Sequence, residues 1–208
     1  MQQRSVMFSL LLVGALGVLY VVARRFVATT DRQSVSLVEA HRTNLVLAAG
    51  RWHLTGQTNA FAGFLVDTYE DGTRKSRSAV SNGWLQGGST GWFTNGQQQV
   101  EEFFAAGTSH GLRTKWYSNG QKQSVAPIVH GKIQGVFRRW NESGALTEEV
   151  EMKEGQPDGT SRSYFPSGYV KREVALSNGT VLSEKTWADG EMRGASADGD
   201  RSASPRSN

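Results

Sequence analysis

Glycine recurs along this 208-residue chain with a period of 24 residues. If Gly111 is called position 0 of a unit, the units start in step at five glycines: Gly63, Gly87, Gly111, Gly135 and Gly159. Position 9 holds Gly72, Gly96, Gly120, Gly144 and Gly168, and position 20 holds Gly83, Gly107, Gly131, Gly155 and Gly179. A fixed short period indicates stacked supersecondary units that bury apolar surface against their neighbours, rather than one closed globule.

Each unit has the pattern of a β-hairpin. Positions 1 to 6 form a strand, positions 7 to 9 a turn, and positions 10 to 18 the return strand, after which the position 20 glycine starts the next reversal. Asp71-Gly72, Asn95-Gly96 and Asn119-Gly120 favour tight primed turns, because glycine, asparagine and aspartate tolerate a positive φ. Serine precedes Gly144 and Gly168 in the same slots. The pattern predicts an all-β fold, an elongated single-layer antiparallel meander of about eleven strands.

Two unit positions carry the packing pattern. Position 17 holds Val80, Phe104, Ile128, Met152 and Leu176, and position 5 holds Trp92, Trp116, Trp140 and Tyr164, with Thr68 in the first unit. Aromatic residues dominate binding hot spots, so the second ladder is also the candidate partner face. Because these aromatics follow the structural period, we expect them mainly to pack the sheet.

The N-terminal segment has the character of a membrane anchor. Residues 6–23 are apolar and uncharged, with Arg4 before them and Arg24 and Arg25 after them. Such a run is just long enough to cross a bilayer as a helix. A cleaved signal peptide is the alternative, but a run that ends in two arginines lacks a good cleavage site. We therefore expect an anchor helix within residues 1–28, with the repeats outside the cytoplasm.

The rest of the chain divides around the repeats. Residues 29–43 read as a linker, residues 44–62 as a degenerate capping hairpin, and residues 63–190 as the array. The last partial unit ends at Gly190, two residues early for the period. Residues 191–208 have almost no apolar content and are predicted to be a disordered tail.

Composition excludes several functions. The chain has no cysteine, which removes disulfides and thiol chemistry. Its net charge is +4, yet residues 63–190 contain 14 acidic and 14 basic side chains. Nucleic-acid binding requires a clustered basic face, and an array of balanced charge gives no indication of one. We therefore expect no nucleic-acid partner.

No catalytic or metal-binding set emerges from the motifs. Gly87 to Gly91 spell the Gly-x-Ser-x-Gly of a nucleophile elbow around Ser89, but its glycines belong to the repeat and no helix follows. His110 and His130 each precede a repeat glycine, which favours a turn role over metal binding. The acidic run at residues 148–151 alternates across a strand, so its carboxylates divide between two faces. We predict no catalytic residues, cofactor, metal or small-molecule substrate.

The pattern Gly-x4-Trp-Tyr-x-Asn-Gly, followed by a ten-residue return and a His-Gly pair, resembles MORN-repeat proteins. More closely, it looks like the bacterial MORN-variant arrays of the YwqK-type antitoxin family. The residues that carry the resemblance are Trp92 to Gly96, Trp116 to Gly120, Tyr164 to Gly168 and His110-Gly111. The resemblance implies stacked hairpins that serve as an interaction platform.

These observations together predict a non-catalytic, membrane-tethered repeat scaffold that binds another protein, along a face or at an open strand edge. Two alternatives stay open. One is an antitoxin that neutralises a cognate toxin, and the other is an envelope module that binds glycan or lipid headgroups through the aromatic ladder.

Overall fold

The computed structural model describes residues 38–191. The predicted anchor helix, most of the predicted linker and almost all of the predicted tail lie outside these residues. Within the described part of the chain, no helix is long and apolar enough to cross a membrane.

Short strands joined by tight turns make up nearly all of the described structure, together with one 3-10 helix at Arg42–Asn44. The strands are β1 Glu39–His41, β2 Leu45–Ala48, β3 Arg51–Leu54, β4 Gly63–Thr68, β5 Arg74–Ser81, β6 Trp84–Trp92, β7 Gln98–Ala105, β8 Thr108–Ser109, β9 Gly111–Trp116, β10 Lys122–Val129, β11 Lys132–Ile133, β12 Gly135–Trp140, β13 Leu146–Lys153, β14 Gln156–Tyr164, β15 Val170–Ser177 and β16 Thr180–Thr186.

One long antiparallel meander contains the repeats. The order along the sheet is β4-β5-β6-β7-β9-β10-β12-β13-β14-β15-β16, so every strand lies beside its predecessor. The two-residue strands β8 and β11 pair at the side with β7 and β10. The predicted all-β antiparallel meander is therefore confirmed for the described residues.

The N-terminal end of the sheet differs from the repeat pattern. Strand β1 pairs with β4 in parallel, with Ala40 opposite Leu65. Residues 39–41 belong to the segment that the sequence analysis assigned to a linker, and in the structure they form a short edge strand. In this strand the polar residues Glu39 and His41 flank a single buried residue, Ala40. A polar–apolar alternation of three residues is too short to identify a strand from the sequence.

A separate hairpin covers this end of the sheet. Strands β2 and β3 pair antiparallel, and Leu45 joins a core cluster with Ala40, Phe61, Leu65 and Val80. The backbone N–H of Trp52 donates to the carbonyl of Gly83 at 2.8 Å. At the opposite end, all seven residues of β16 are exposed. The sheet therefore has one covered end and one open end among the described residues.

The turn chemistry differs from the sequence prediction. At position 9, Gly120 has φ +84° and its N–H donates to the carbonyl of Tyr117 at 2.9 Å, while Asn119 keeps a negative φ. This arrangement is a three-residue turn with a left-handed glycine, as in a type I turn followed by a bulge. The primed turns instead lie at positions 19 and 20, as at His130 (φ 48°) and Gly131 (φ 78°).

An extra residue at position 12 of each unit determines which side chains share a face. In the central hairpin, Trp116 pairs with Lys122 but Lys115 pairs with Ser124, so Gln123 is the inserted residue. Gly111 lies opposite Ile128, at position 17. Because side chains alternate along each strand, the side chains at positions 2, 4, 13, 15 and 17 therefore lie on the same face of the sheet. We call this the aliphatic face, and we call the side with positions 1, 3, 5, 14 and 16 the tryptophan face. The two predicted ladders thus lie on opposite faces.

The aliphatic face is the better covered of the two. It holds six of the buried apolar side chains, Leu65, Val80, Ala126, Ile128, Val150 and Val174. Neighbouring units are also joined at both margins of the sheet. The Tyr117 hydroxyl donates to the carbonyl of Trp140 at 2.9 Å, and the N–H of Gly131 donates to the carbonyl of Ser109 at 2.9 Å. Contacts between neighbours therefore stabilise the sheet, as expected for a repeat array.

Candidate functional site

The position 5 aromatics are not equivalent. Trp92, Trp116 and Trp140 are half-buried, whereas Tyr164 is only 8% exposed. Burial raises the pKa of the Tyr164 phenol, and the nearby Glu149 carboxylate raises it further. Three of the four aromatic side chains at position 5 therefore present surface to solvent, and the fourth, Tyr164, is buried.

Two exposed apolar side chains extend the tryptophan face beyond its predicted ladder. Phe103 is 45% exposed on β7 and Leu112 is 49% exposed on the adjacent β9. Phe103 lies opposite Gly88, and Leu112 lies opposite Pro127. In the first three units, positions 1 and 16 therefore form an apolar row that the sequence analysis did not single out. Its only sequence indication is the recurrence of apolar residues 15 positions apart within a unit, as in Leu112 and Pro127.

Arginines lie beside the aromatic rings at one end of this face. The guanidinium carbon of Arg77 lies 3.2 Å from the centre of the Phe64 ring, and that of Arg74 lies 6.0 Å from the Trp92 ring. Arg77 Nε donates to Glu39 Oε1 at 2.7 Å. Together with Trp92 these residues line a shallow groove. Such a mixture of aromatic and arginine side chains is typical of protein interfaces.

A row of alternating charges crosses the other half of the tryptophan face. Directly paired residues on β12 to β16 read Arg138, Glu149, Arg162, Glu173 and Lys185. The arginines donate to the glutamates at 2.8 Å in the first pair and 2.7 Å in the second. The hydrogen bond to Glu173 raises the pKa of Arg162. Opposite charges at unit positions 3 and 14 could have indicated this row from the sequence.

The acidic run on β13 divides as its alternation predicted. Glu149 contacts Arg138 on the tryptophan face, and Glu148 Oε2 contacts Arg139 Nη1 at 3.3 Å on the aliphatic face. Each carboxylate therefore has a cationic partner on its own side of the sheet. This arrangement stabilises the cross-strand pairs.

The structure brings two histidines together that the sequence analysis treated separately. The rings of His110 and His130 lie 5.6 Å apart, because position 23 of one unit contacts position 19 of the next. In other units this contact is a hydrogen bond, as from the Ala106 N–H to Gln86 Oε1 at 2.8 Å. Among the described residues, no group of three or more histidine, cysteine or acidic side chains could hold a metal ion.

Ser89 lies within strand β6, and its hydroxyl is 2.7 Å from that of Ser78 on β5. The described chain continues from β6 through a turn into another strand, not into a helix. A nucleophile elbow requires a strand followed by a helix and a base beside the serine. The hydroxyl pair therefore acts as a cross-strand contact.

The terminal strands of the sheet are each held by a carboxylate whose pKa lies below its usual value. The Glu39 carboxylate accepts from Arg77, and the Glu184 carboxylate accepts from Arg172 at 2.7 and 2.9 Å; these hydrogen bonds lower the pKa of both groups. A lowered folded-state pKa means that the contact stabilises the fold above the ordinary glutamate pKa. This contribution is lost as the pH falls through the folded-state pKa.

We therefore expect acid to weaken the attachment of β1 and β16 to the sheet. In an NMR titration of the side-chain carboxyl carbons, Glu184 should have a midpoint below 4.5, the usual glutamate value. In the Arg172→Gln variant, the midpoint should return towards that value. An unchanged midpoint in this variant would show that Arg172 is not the cause.

The described residues thus define a class of protein: a repeat-built antiparallel meander whose two faces carry different side chains. Comparison of the chain with protein-family models and with curated proteins finds no match.

Proposed function

We propose that this chain is a non-catalytic scaffold whose repeat sheet binds another protein, and that residues 6–23 tether it to a membrane. The observation that carries the proposal is the exposed apolar pair Phe103 and Leu112 on the face that also holds the half-buried tryptophans. Exposed apolar side chains grouped on one surface favour an interaction site. A protein partner fits best, because the surface combines aromatic, aliphatic and arginine side chains.

The resemblance to MORN-variant arrays supports the same proposal. The resemblance implies that the stacked hairpins serve as an interaction platform. That the chain belongs to the YwqK-type group is part of this proposal. We further propose that the array faces away from the cytoplasm. Protease treatment of spheroplasts, whose inner membrane is intact, should then digest the array, and digestion only after the inner membrane is permeabilised would place it on the cytoplasmic side.

The test of the binding face is a double substitution, Trp116→Ala with Trp140→Ala. A photo-crosslinking residue at Thr90, on the tryptophan face, should capture a protein partner from the native membrane in the unchanged chain. In the double variant we expect capture to fall at least about tenfold, since aromatic hot-spot residues each contribute roughly 2 kcal/mol or more. Circular dichroism should show that the sheet persists.

Phe103→Gln with Leu112→Gln is the companion variant, because both side chains are exposed and their loss should leave the fold intact. A second photo-crosslinking residue at Ser163, on the aliphatic face, shows whether the partner also reaches that side of the sheet. If the tryptophan variant only unfolds the sheet and the companion variant captures the partner normally, the aromatics serve packing alone. Capture of glycan or lipid in place of protein would favour the envelope-module alternative.

A further inference from the structure

Three basic side chains line a groove of about 560 Å³ on the aliphatic face. Arg113 and Lys115 come from β9, and Arg139 comes from β12. Ser124 of β10 lies between them, because it pairs with Lys115 on one side and with Arg139 on the other. Strands lie about 4.8 Å apart, so the backbones of Lys115 and Arg139 are roughly 10 Å apart. Two long side chains at this spacing can reach one group above Ser124.

This groove breaks the repeat. Position 4 is basic only at Lys115 and Arg139, in adjacent units, while the other units hold Asp67, Gly91 and Ser163 there. Position 2 is basic only at Arg113. A requirement of sheet packing would recur in every unit, as the position 17 ladder does. The basic cluster is therefore a property of this place in the array and not of the fold.

The charges around the groove are only partly neutralised. Arg113 donates to Glu102, and Arg139 contacts Glu148 at 3.3 Å. Neither glutamate lines the groove. Among residues 38–191, no carboxylate lies within ion-pair distance of Lys115. The cluster therefore carries one positive charge without a partner.

We propose that the groove binds the carboxylate of an aspartate or glutamate on a segment of the partner protein. One unpaired positive charge matches one carboxylate, whereas a phosphate would bring about two negative charges. Phe137 and Ile133 also line the groove and provide apolar surface for the side chain that adjoins the acid. The inference rests on the proposed protein-binding function and adds the chemistry of the partner, on the face opposite the tryptophans.

The probe is a fluorescein-labelled peptide of alternating glutamate and phenylalanine, titrated into the full chain in a neutral detergent. A glutamine–phenylalanine peptide is its matched control. We expect the glutamate peptide to bind saturably, and Lys115→Gln to weaken that binding about tenfold, as for loss of a hydrogen bond to a charged group. Lys153→Gln removes the same charge from an exposed site away from the groove and should leave binding unchanged.

Equal binding of the two peptides, or equal losses in the Lys115→Gln and Lys153→Gln variants, would overturn the proposal. Displacement of the peptide by mixed micelles that contain phosphatidylglycerol, but not by mixed micelles that contain phosphatidylcholine, would also overturn it, in favour of a lipid headgroup. The two proposals fail separately. If partner capture at Thr90 persists while the glutamate peptide does not bind, only the groove assignment is wrong. If the peptide binds but no partner is captured at Thr90, only the assignment of the tryptophan face as the binding face is wrong.

Discussion

Replacing Gly63 with alanine is expected to lower the free energy of unfolding by about 3 kcal/mol, since backbone strain and a lost buried contact add together. Gly63 has φ +149°, a conformation that essentially only glycine adopts. A Cβ there would lie 2.1 Å from the Val38 carbonyl oxygen and 3.0 Å from the buried Phe61 ring. That carbonyl accepts the Phe64 N–H at 2.8 Å, so the substitution should also detach β1 from β4.

Urea unfolding followed by tryptophan fluorescence measures this loss. Gly88→Ala is the matched control, because Gly88 also lies in a strand but its added Cβ would be 3.8 Å from Phe103, an ordinary contact. We expect Gly88→Ala to change the unfolding free energy by less than about 0.5 kcal/mol. Hydrogen exchange should show faster exchange at the Phe64 N–H in the Gly63→Ala chain. Equal unfolding midpoints for the two variants would refute the docking of β1 described above.

Gly120→Val is expected to lower the unfolding free energy by about 2 to 3 kcal/mol, since left-handed backbone is costly for residues with a Cβ, and most costly for β-branched ones. Gly120 has φ +84° in the turn that joins β9 to β10. The nearest atom to an added Cβ would be Gln97 Oε1 at 3.4 Å, which is ordinary contact, so the loss arises from the backbone conformation. Thermal unfolding followed by circular dichroism gives the measurement.

Gly120→Asn serves as the control for this turn. Asparagine tolerates the left-handed region, so we expect it to lose less than about 1 kcal/mol at the same site. Gly72→Val should repeat the valine loss, because Gly72 has φ +83° and no atom within 4 Å of an added Cβ. If the Gly120→Val and Gly120→Asn variants unfold at the same temperature, Gly120 is not in the left-handed conformation.

The turns illustrate how far local sequence rules reach. Glycine at positions 9 and 20 placed both reversals of each unit correctly, because positive φ favours glycine in any tight turn. The turn type was not predictable from Asn119-Gly120. Asparagine before glycine suits a primed turn, but it also suits a turn in which only the glycine is left-handed. Pairing between the two strands decides between them.

The candidate surfaces depended still more on pairing. The ladder at Trp92, Trp116 and Trp140 was visible in the sequence because it follows the period. The apolar pair of Phe103 and Leu112 and the basic groove around Lys115 were not, because their members come from different strands and different units. Residues so far apart along the chain form no local sequence pattern that would group them.

The sequence by itself determined the repeat, the hairpins and the antiparallel meander, since a strict period with glycine at fixed positions leaves stacked hairpins as the consistent arrangement. Only the tertiary structure decided which side chains share a face. The inserted residue at position 12, Gln123 in the central unit, shifts the register of each return strand, and a shift of one residue moves every following side chain to the other face. It also decided that one end of the sheet is covered, because β1 reaches β4 only through contacts between distant residues.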